Sequence, residues 1–436
     1  MSDQQMHPET LALHGGYRQD ATTGAVAVPI YQTTSYQFQD TQHAEDLFAL
    51  RELGNIYTRI MNPTCDALER RITAMEGGAA ALALASGQAA STFAILNLCR
   101  AGDNFVSSTD LYGGTWNLFA NTLSALGVEV RFVDPADPEA FERATDARTR
   151  CYYAETLANP KLHVFPIREV AEIGRAHGVP LIMDNTAAPM ICRPLEHGAA
   201  IVMYSTTKYI GGHGTSIGGI MVDGGTFRWE EHAERFPNLT QPDPSYHGAV
   251  WTEAARPLGP IAYILRARVV LLRDLGSAMS PFNAFLFIQG LETLPLRMRA
   301  HCANATAVAG FLNGHPKVSR VIFPGLQSGE TRRRADVYLS GLASGSGAHG
   351  GLVGFELEAG REAGRRFIDA LKLVYHVANI GDARTLAIHP ATTTHAQLSP
   401  EDRSATGVSE GYVRLSIGIE HIDDILADLR QALDCA

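Results

Sequence analysis

Between residues 80 and 222 the chain alternates short apolar runs with longer mixed ones. The apolar runs predict strands at Ala80–Ala85, Asn104–Ser107, Val128–Val133, Cys151–Ala154, Pro180–Met183, Ala200–Tyr204 and Gly218–Val222. The intervals hold helix-like stretches such as Ile167–His177, which carries apolar Ile167, Val170, Ala171 and Ile173. Alternation of this kind predicts an α/β fold with a mostly parallel sheet.

Outside that region the pattern changes. Residues 1–60 hold the stretch TTGAVAVPIYQTTSYQF and read as an extended N-terminal arm. Residues 226–260 are rich in Pro, aromatic and polar groups and read as a long ordered loop or insertion. A helical stretch, Pro281–Ala309, is followed by candidate strands at Val318–Ile322, Leu352–Leu357 and Val413–Ile417. The division expected is an arm over 1–60, a large domain over 61–285 and a smaller α/β domain over 286–436. Gly77–Cys99 carries no charge and is long enough to span a bilayer. Ser86-Gly87-Gln88 interrupts it, so it reads as a buried strand, a tight turn and a buried helix.

The 436 residues include 46 acidic and 36 basic ones, for a net charge of −10. That balance disfavours nucleic acid or an anionic membrane as the main partner, since both need a basic face. The six cysteines form no CxxC pair, which argues against a disulfide scaffold or a cysteine zinc site. The N-terminal residues show no basic region followed by an apolar stretch. Reduced thiols without an export signal point to the cytoplasm.

Ligands of open α/β sheets bind beyond the carboxyl ends of the strands. Ser86-Gly87-Gln88 follows the first strand and opens a helix, where small residues let backbone N–H groups approach an anion; a plain tight turn is the alternative. Three later strand ends carry Glu155, Asp184 and Lys208. Asp184 alone reads as a cap or turn former, and Lys208 alone as a surface lysine. However, Lys208 stands between an apolar strand and the Gly-rich turn Gly211-Gly212-His213-Gly214, which predicts crowded surroundings. Burial lowers a lysine's pKa and makes it a competent nucleophile toward an aldehyde. Ser205 and Thr207 could hold a phosphate. A lysine of this kind, with an aspartate for a pyridinium nitrogen, is the set that pyridoxal phosphate (PLP) requires.

Asp184-Asn185-Thr186 followed by Ser205-Thr206-Thr207-Lys208-Tyr209-Ile210-Gly211-Gly212-His213 resembles the signature of the PLP-dependent enzymes of cysteine and methionine metabolism. That family includes cystathionine synthases and lyases, methionine γ-lyase and O-acylhomoserine sulfhydrylases. The resemblance extends over Tyr57–Thr64, Ser86–Gln88, Asp110–Thr115, His389–Ala391 and Arg414–Gly418. It implies PLP as cofactor and the type I fold of PLP-dependent transferases.

The same resemblance implies roles. Lys208 would carry the cofactor covalently and later act as a mobile acid/base. Asp184 would hold the ring nitrogen protonated, and Tyr112 would stack on the ring. Gly87, Gln88, Ser205, Thr207 and Thr186 would line the cofactor site, with Tyr57 and Arg59 reaching the phosphate from a neighbouring subunit. The site would then need at least a homodimer; the family norm is a homotetramer. Arg414 would clamp the substrate α-carboxylate, with Asn159 and Asn379 beside it. His213 and His389 read as structural, and no metal is expected, because no HExxH-like spacing occurs.

Within the family the chain looks most like the sulfhydrylases. Gly114 stands where methionine γ-lyases have a cysteine. Asn379 and Arg384 stand where many lyases and synthases have a serine and an acidic residue, and the extra length falls at 226–260. The implied reaction replaces the acetate of O-acetyl-L-homoserine with sulfide or methanethiol, giving homocysteine or methionine. Methionine γ-lyase and cystathionine γ-synthase would use the same residues and remain alternatives. A nucleotide-binding domain is a third reading; it would be colourless, and no GxGxxG follows the first strand.

Overall fold

The computed structural model describes residues 6–342, 348–393 and 407–436. The first sheet contains β1 (Ala80–Leu84), β2 (Asn104–Ser108), β3 (Glu129–Val133), β4 (Thr149–Glu155), β5 (Leu181–Asp184), β6 (Ile201–Tyr204) and β7 (Gly219–Asp223). Their order across the sheet is β1-β7-β6-β5-β4-β2-β3. The pairs β2/β3, β2/β4, β4/β5 and β5/β6 are parallel, while β7 runs against both its neighbours. The carboxyl ends of β1, β4, β5 and β6 therefore share one edge. β1, β2, β5 and β6 bury almost every side chain because helices cover both faces, so their runs are uninterrupted rather than alternating.

The helix Pro281–Asn313 leads from this sheet to the second. The second sheet holds β8 (Val318–Ile322), β9 (Leu352–Leu357), β10 (Tyr375–His376), β11 (Leu386–Ile388) and β12 (Tyr412–Ser416), in the order β10-β11-β12-β9-β8. Phe355, Phe367, Val413, Leu415, Leu429 and Leu433 form the core under it.

Two regions differ from the sequence expectation. Residues 226–260 are not a loop but a run of short helical turns, including Trp229–His232, Pro237–Thr240 and Trp251–Ala254. Trp229, Phe236, Leu239 and Trp251 are buried among the side chains that cover one face of the first sheet, and Trp229 stacks on Tyr263 at 5.7 Å. Aromatic burial orders a segment whose prolines prevent any long helix. The arm is not extended throughout. Its first five residues lie outside the described residues, but Pro8–His14 and Thr41–Phe48 are helices. Leu11 and Ala12 join the core, and Glu9 pairs with Arg299 of the long helix. Further along the arm, Val26, Ile30 and Tyr57 stay exposed. No helix among the described residues is long and apolar enough to cross a membrane; Gly77–Cys99 folds as β1 and the helix Gly87–Leu96.

Candidate active site

A cavity of about 320 Å³ opens at the shared carboxyl edge of β1, β4, β5 and β6. Gly87, Gln88, Tyr112, Asn159, Asp184, Thr186, Ser205, Thr207, Lys208, Asn379 and Arg414 all line it, although they come from separate parts of the chain. Tyr57 and Arg59 do not line it. They stand on the arm, with the Arg59 guanidinium 5.5 Å from the centre of the Tyr57 ring.

The floor of the cavity is the turn after β1. The Ser86 hydroxyl caps the helix Gly87–Leu96 by accepting the Ala89 N–H at 3.0 Å. Helix geometry leaves the N–H groups of Gly87 and Gln88 without an intrahelical acceptor. A Cβ on residue 87 would lie 2.6 Å from the Ser205 Cβ, so only glycine lets the two turns touch. The resulting cradle of free N–H groups, the Ser205 hydroxyl and a helix N-terminus suits a phosphate. The Thr207 hydroxyl beside it closes a turn, accepting the Gly218 N–H at 3.0 Å. Thr186 joins neighbouring strand ends: its N–H donates to Asp184 Oδ1 at 2.9 Å, and its hydroxyl accepts the Ser205 N–H at 2.8 Å. The Gln88 side chain reaches across to the Gly114 carbonyl at 3.1 Å, tying the cradle to the segment that carries Tyr112.

Asp184 ends β5 deep in the cavity and pairs with no cation among the described residues. Burial pushes its carboxyl up, against the pull of hydrogen bonds from Thr186 and Tyr153. A protonated pyridine nitrogen would supply the counter-charge it lacks. Lys208 follows β6 and donates to Asn379 Oδ1 at 2.5 Å. Burial, then the Arg414 guanidinium, bring its ammonium down to about 8. Arg414, on β12, is buried with no carboxylate partner among the described residues. It donates to Asn159 Oδ1 at 3.1 Å and to the Asn379 carbonyl at 2.9 Å, and its Nε has no partner. A buried guanidinium held by neutral acceptors, with a donor unused, is arranged for an anionic ligand. Tyr112 is half-exposed over the opening, and a Cβ at Gly114 would lie 2.5 Å from its ring.

These donors fit PLP: a lysine of lowered pKa, an aspartate lacking a cation, and a phosphate cradle stand around one cavity. Sequence reasoning noted Glu155 as a strand-end carboxylate but gave it no role. It lines the same cavity, in register with Asp184 across β4 and β5, and burial together with Asp184 pushes its carboxyl well up. Tyr153, whose hydroxyl lies beside Asp184, was missed because it reads as ordinary core. His213 and His389 bond to backbone carbonyls and to Thr392, and no group of three or more potential metal ligands occurs among the described residues.

Comparison with known proteins follows the same line. The profile of the family described as Cys/Met metabolism PLP-dependent enzyme matches residues 9–434. An O-acetyl-L-homoserine sulfhydrylase of Leptospira meyeri is 54% identical, over 98% of this chain and 96% of its own. A homocysteine synthase of Schizosaccharomyces pombe is 47% identical over 99% of both chains. The crystal structure of a candidate O-acetylhomoserine (thiol)-lyase from Campylobacter jejuni, containing N'-pyridoxyl-lysine-5'-monophosphate, superposes with a TM-score of 0.91 at 40% identity, covering 98% of this chain and all of that one. With its strand-end lysine, aspartate and phosphate cradle in one cavity and this likeness over nearly its whole length, the chain belongs to the PLP-dependent enzymes of cysteine and methionine metabolism.

Proposed function

We propose that this enzyme exchanges the acetate of O-acetyl-L-homoserine for sulfide, or for methanethiol, yielding L-homocysteine or L-methionine. The observation that carries the reading is that Asn379 bonds Lys208 through its side chain and the buried Arg414, which has no carboxylate partner among the described residues, through its carbonyl. An α-amino acid whose carboxylate meets Arg414 brings its amine and α-carbon to the lysine. The names of the sulfhydrylase and homocysteine synthase relatives support the choice of substrate.

Bound PLP supplies an electron sink that acidifies the α-carbon of an amino acid joined to it. The chain's own residues do the rest. Arg414 and Asn159 grip the α-carboxylate, a planar fork that lysine could not replace. Asp184 keeps the ring nitrogen protonated. Gly87, Gln88, Ser205 and Thr207 hold the phosphate, with Thr186 bracing Asp184 against Ser205. Lys208 would move protons at the α- and β-carbons, with Asn379 orienting its amine. Tyr112, half-exposed at the cavity, would stack on the bound ring. Acetate leaves from the γ-carbon, and the thiol takes its place.

In this reading residues 61–285 bind the cofactor and supply Asn159, and 286–436 supply Arg414 and Asn379. Tyr57 and Arg59, exposed on the arm and away from their own cavity, complete the phosphate site of a second subunit within a homotetramer. Buried free thiols at Cys65, Cys99, Cys151, Cys192 and Cys302 suit the cytoplasm. The test is a product assay. O-acetyl-L-homoserine with sulfide should give homocysteine and acetate faster than O-succinyl-L-homoserine with cysteine gives cystathionine. Release of ammonia and a 2-oxoacid as main products, from the ester or from methionine, would make the enzyme a lyase and refute the reading.

A further inference from the structure

We propose that Glu155 is a positioning residue: its one carboxyl group fixes both the loop that carries Tyr112 and the loop that carries Asn159. It ends β4 and is 7% exposed, so its two oxygens have little access to water. Oε1 accepts the Tyr112 N–H at 2.5 Å, and Oε2 accepts the Asn159 N–H at 3.3 Å. The two donors belong to different loops, and both residues line the same cavity.

Each loop carries a group that acts at the cavity. Tyr112 precedes the short helix Gly113–Asn117, and no side chain caps that helix. The bond to Glu155 ties Tyr112 itself to the end of β4; just before it the Thr109 N–H donates to the Val133 carbonyl at 2.9 Å and Asp110 accepts from Lys161 Nζ at 2.6 Å, while Gln88 ties the segment further on at Gly114. Asn159 is held at its backbone by Glu155 and presents its side-chain oxygen to Arg414. The next residue's carbonyl, Pro160 O, accepts from the Tyr412 hydroxyl at 2.8 Å, two positions before Arg414 on β12. Glu155 therefore connects the ring cover to the carboxylate clamp through one rigid strand end.

The side-chain chemistry follows from the two bonds. Both Glu155 oxygens accept a backbone N–H, and these two bonds favour the two-acceptor carboxylate against the upward push of burial and Asp184. Glutamine offers one acceptor and one donor, so the donor would face a backbone N–H whichever way the amide turned. One loop would lose its bond to the end of β4 while volume and shape stayed the same.

The kinetic arm of the test rests on the function proposed above; the exchange arm does not. In the wild-type holoenzyme, amide hydrogen exchange should find Tyr112 and Asn159 protected like the core of β4, although both lie in loops. In Glu155→Gln, one of the segments 109–118 and 157–162 should exchange roughly tenfold faster or more, with β4, β5 and β6 unchanged. KM for the amino-acid substrate should rise roughly tenfold, with cofactor affinity retained. Unprotected Tyr112 and Asn159 amides in the wild type would overturn the proposal without any variant. So would a Glu155→Gln enzyme whose two segments exchange as before, even if its pH profile moved, because Glu155 would then act through charge on Asp184. Acceleration spread over the whole sheet would make Glu155 a core residue and overturn it as well.

Discussion

In the proposed role Lys208 must be a neutral amine before it takes up PLP, and the pH dependence of cofactor loading reads that state directly. Burial and the Arg414 guanidinium lower the ammonium to about 8 from an ordinary 10.5. That difference corresponds to roughly 3 kcal/mol against the charged form. At pH 7.5 roughly a quarter of the chains would hold a neutral Lys208, against about one in a thousand for an unperturbed lysine. The loading rate of cofactor-free enzyme, followed by the visible absorbance of the lysine-bound group, should climb to a plateau above about pH 8. Normalisation to a free amine of known pKa removes the cofactor's own titrations. Replacing Arg414 with methionine removes the like charge, so the bend should move to higher pH. There is a stability counterpart with a definite sign. Between about pH 8 and 10.5 the unfolded chain holds a proton at Lys208 that the folded, cofactor-free chain has lost. Stability of that form therefore rises with pH across this window, and the full penalty is felt below it. A loading rate that keeps rising tenfold per pH unit past about 9.5 would show an unperturbed lysine and refute the reasoning.

Asp184→Asn keeps shape and loses the charge that, in the proposed role, holds the ring nitrogen protonated; turnover should fall at least a hundredfold, by roughly 3 kcal/mol or more, with unfolding temperature little changed. Arg414→Lys retains charge but not the two-point grip, so kcat/KM for O-acetyl-L-homoserine should drop roughly thirtyfold, matching about 2 kcal/mol for a charged hydrogen bond. Gly87→Ala places a methyl 2.6 Å from the Ser205 Cβ; the turns must part, and equilibrium dialysis should show cofactor affinity down about tenfold or more. Arg59→Ala and Lys208→Ala subunits, each inactive alone, should regain part of the activity when refolded together, because a mixed oligomer can pair an intact Arg59 with an intact Lys208. A mixture as inactive as its parents despite subunit exchange would place Arg59 in its own chain's site.

The sequence alone determined the elements that neighbours could not alter. Strands such as β5 and β6 are buried on both faces, so their apolar runs stand out unaided, and the residues closing them, Asp184 and Ser205 to Lys208, could be read as one ligand edge. The short strands β10 and β11 escaped notice because their pairing partners, not their composition, make them strands. For the same reason 226–260 read as a loop: its turns are ordered by aromatic side chains docking on a sheet face laid down by other residues. The chemistry of the site divides in the same way. Residue types along the chain were enough to nominate a lysine, an aspartate and an arginine. Only the folded chain decided that Arg414 lies close enough to depress Lys208, that Asp184 has no cation among the described residues, and that one Glu155 carboxyl group accepts from two loops. Each of these depends on distance and on the loss of water around a charge, which packing sets and linear order does not.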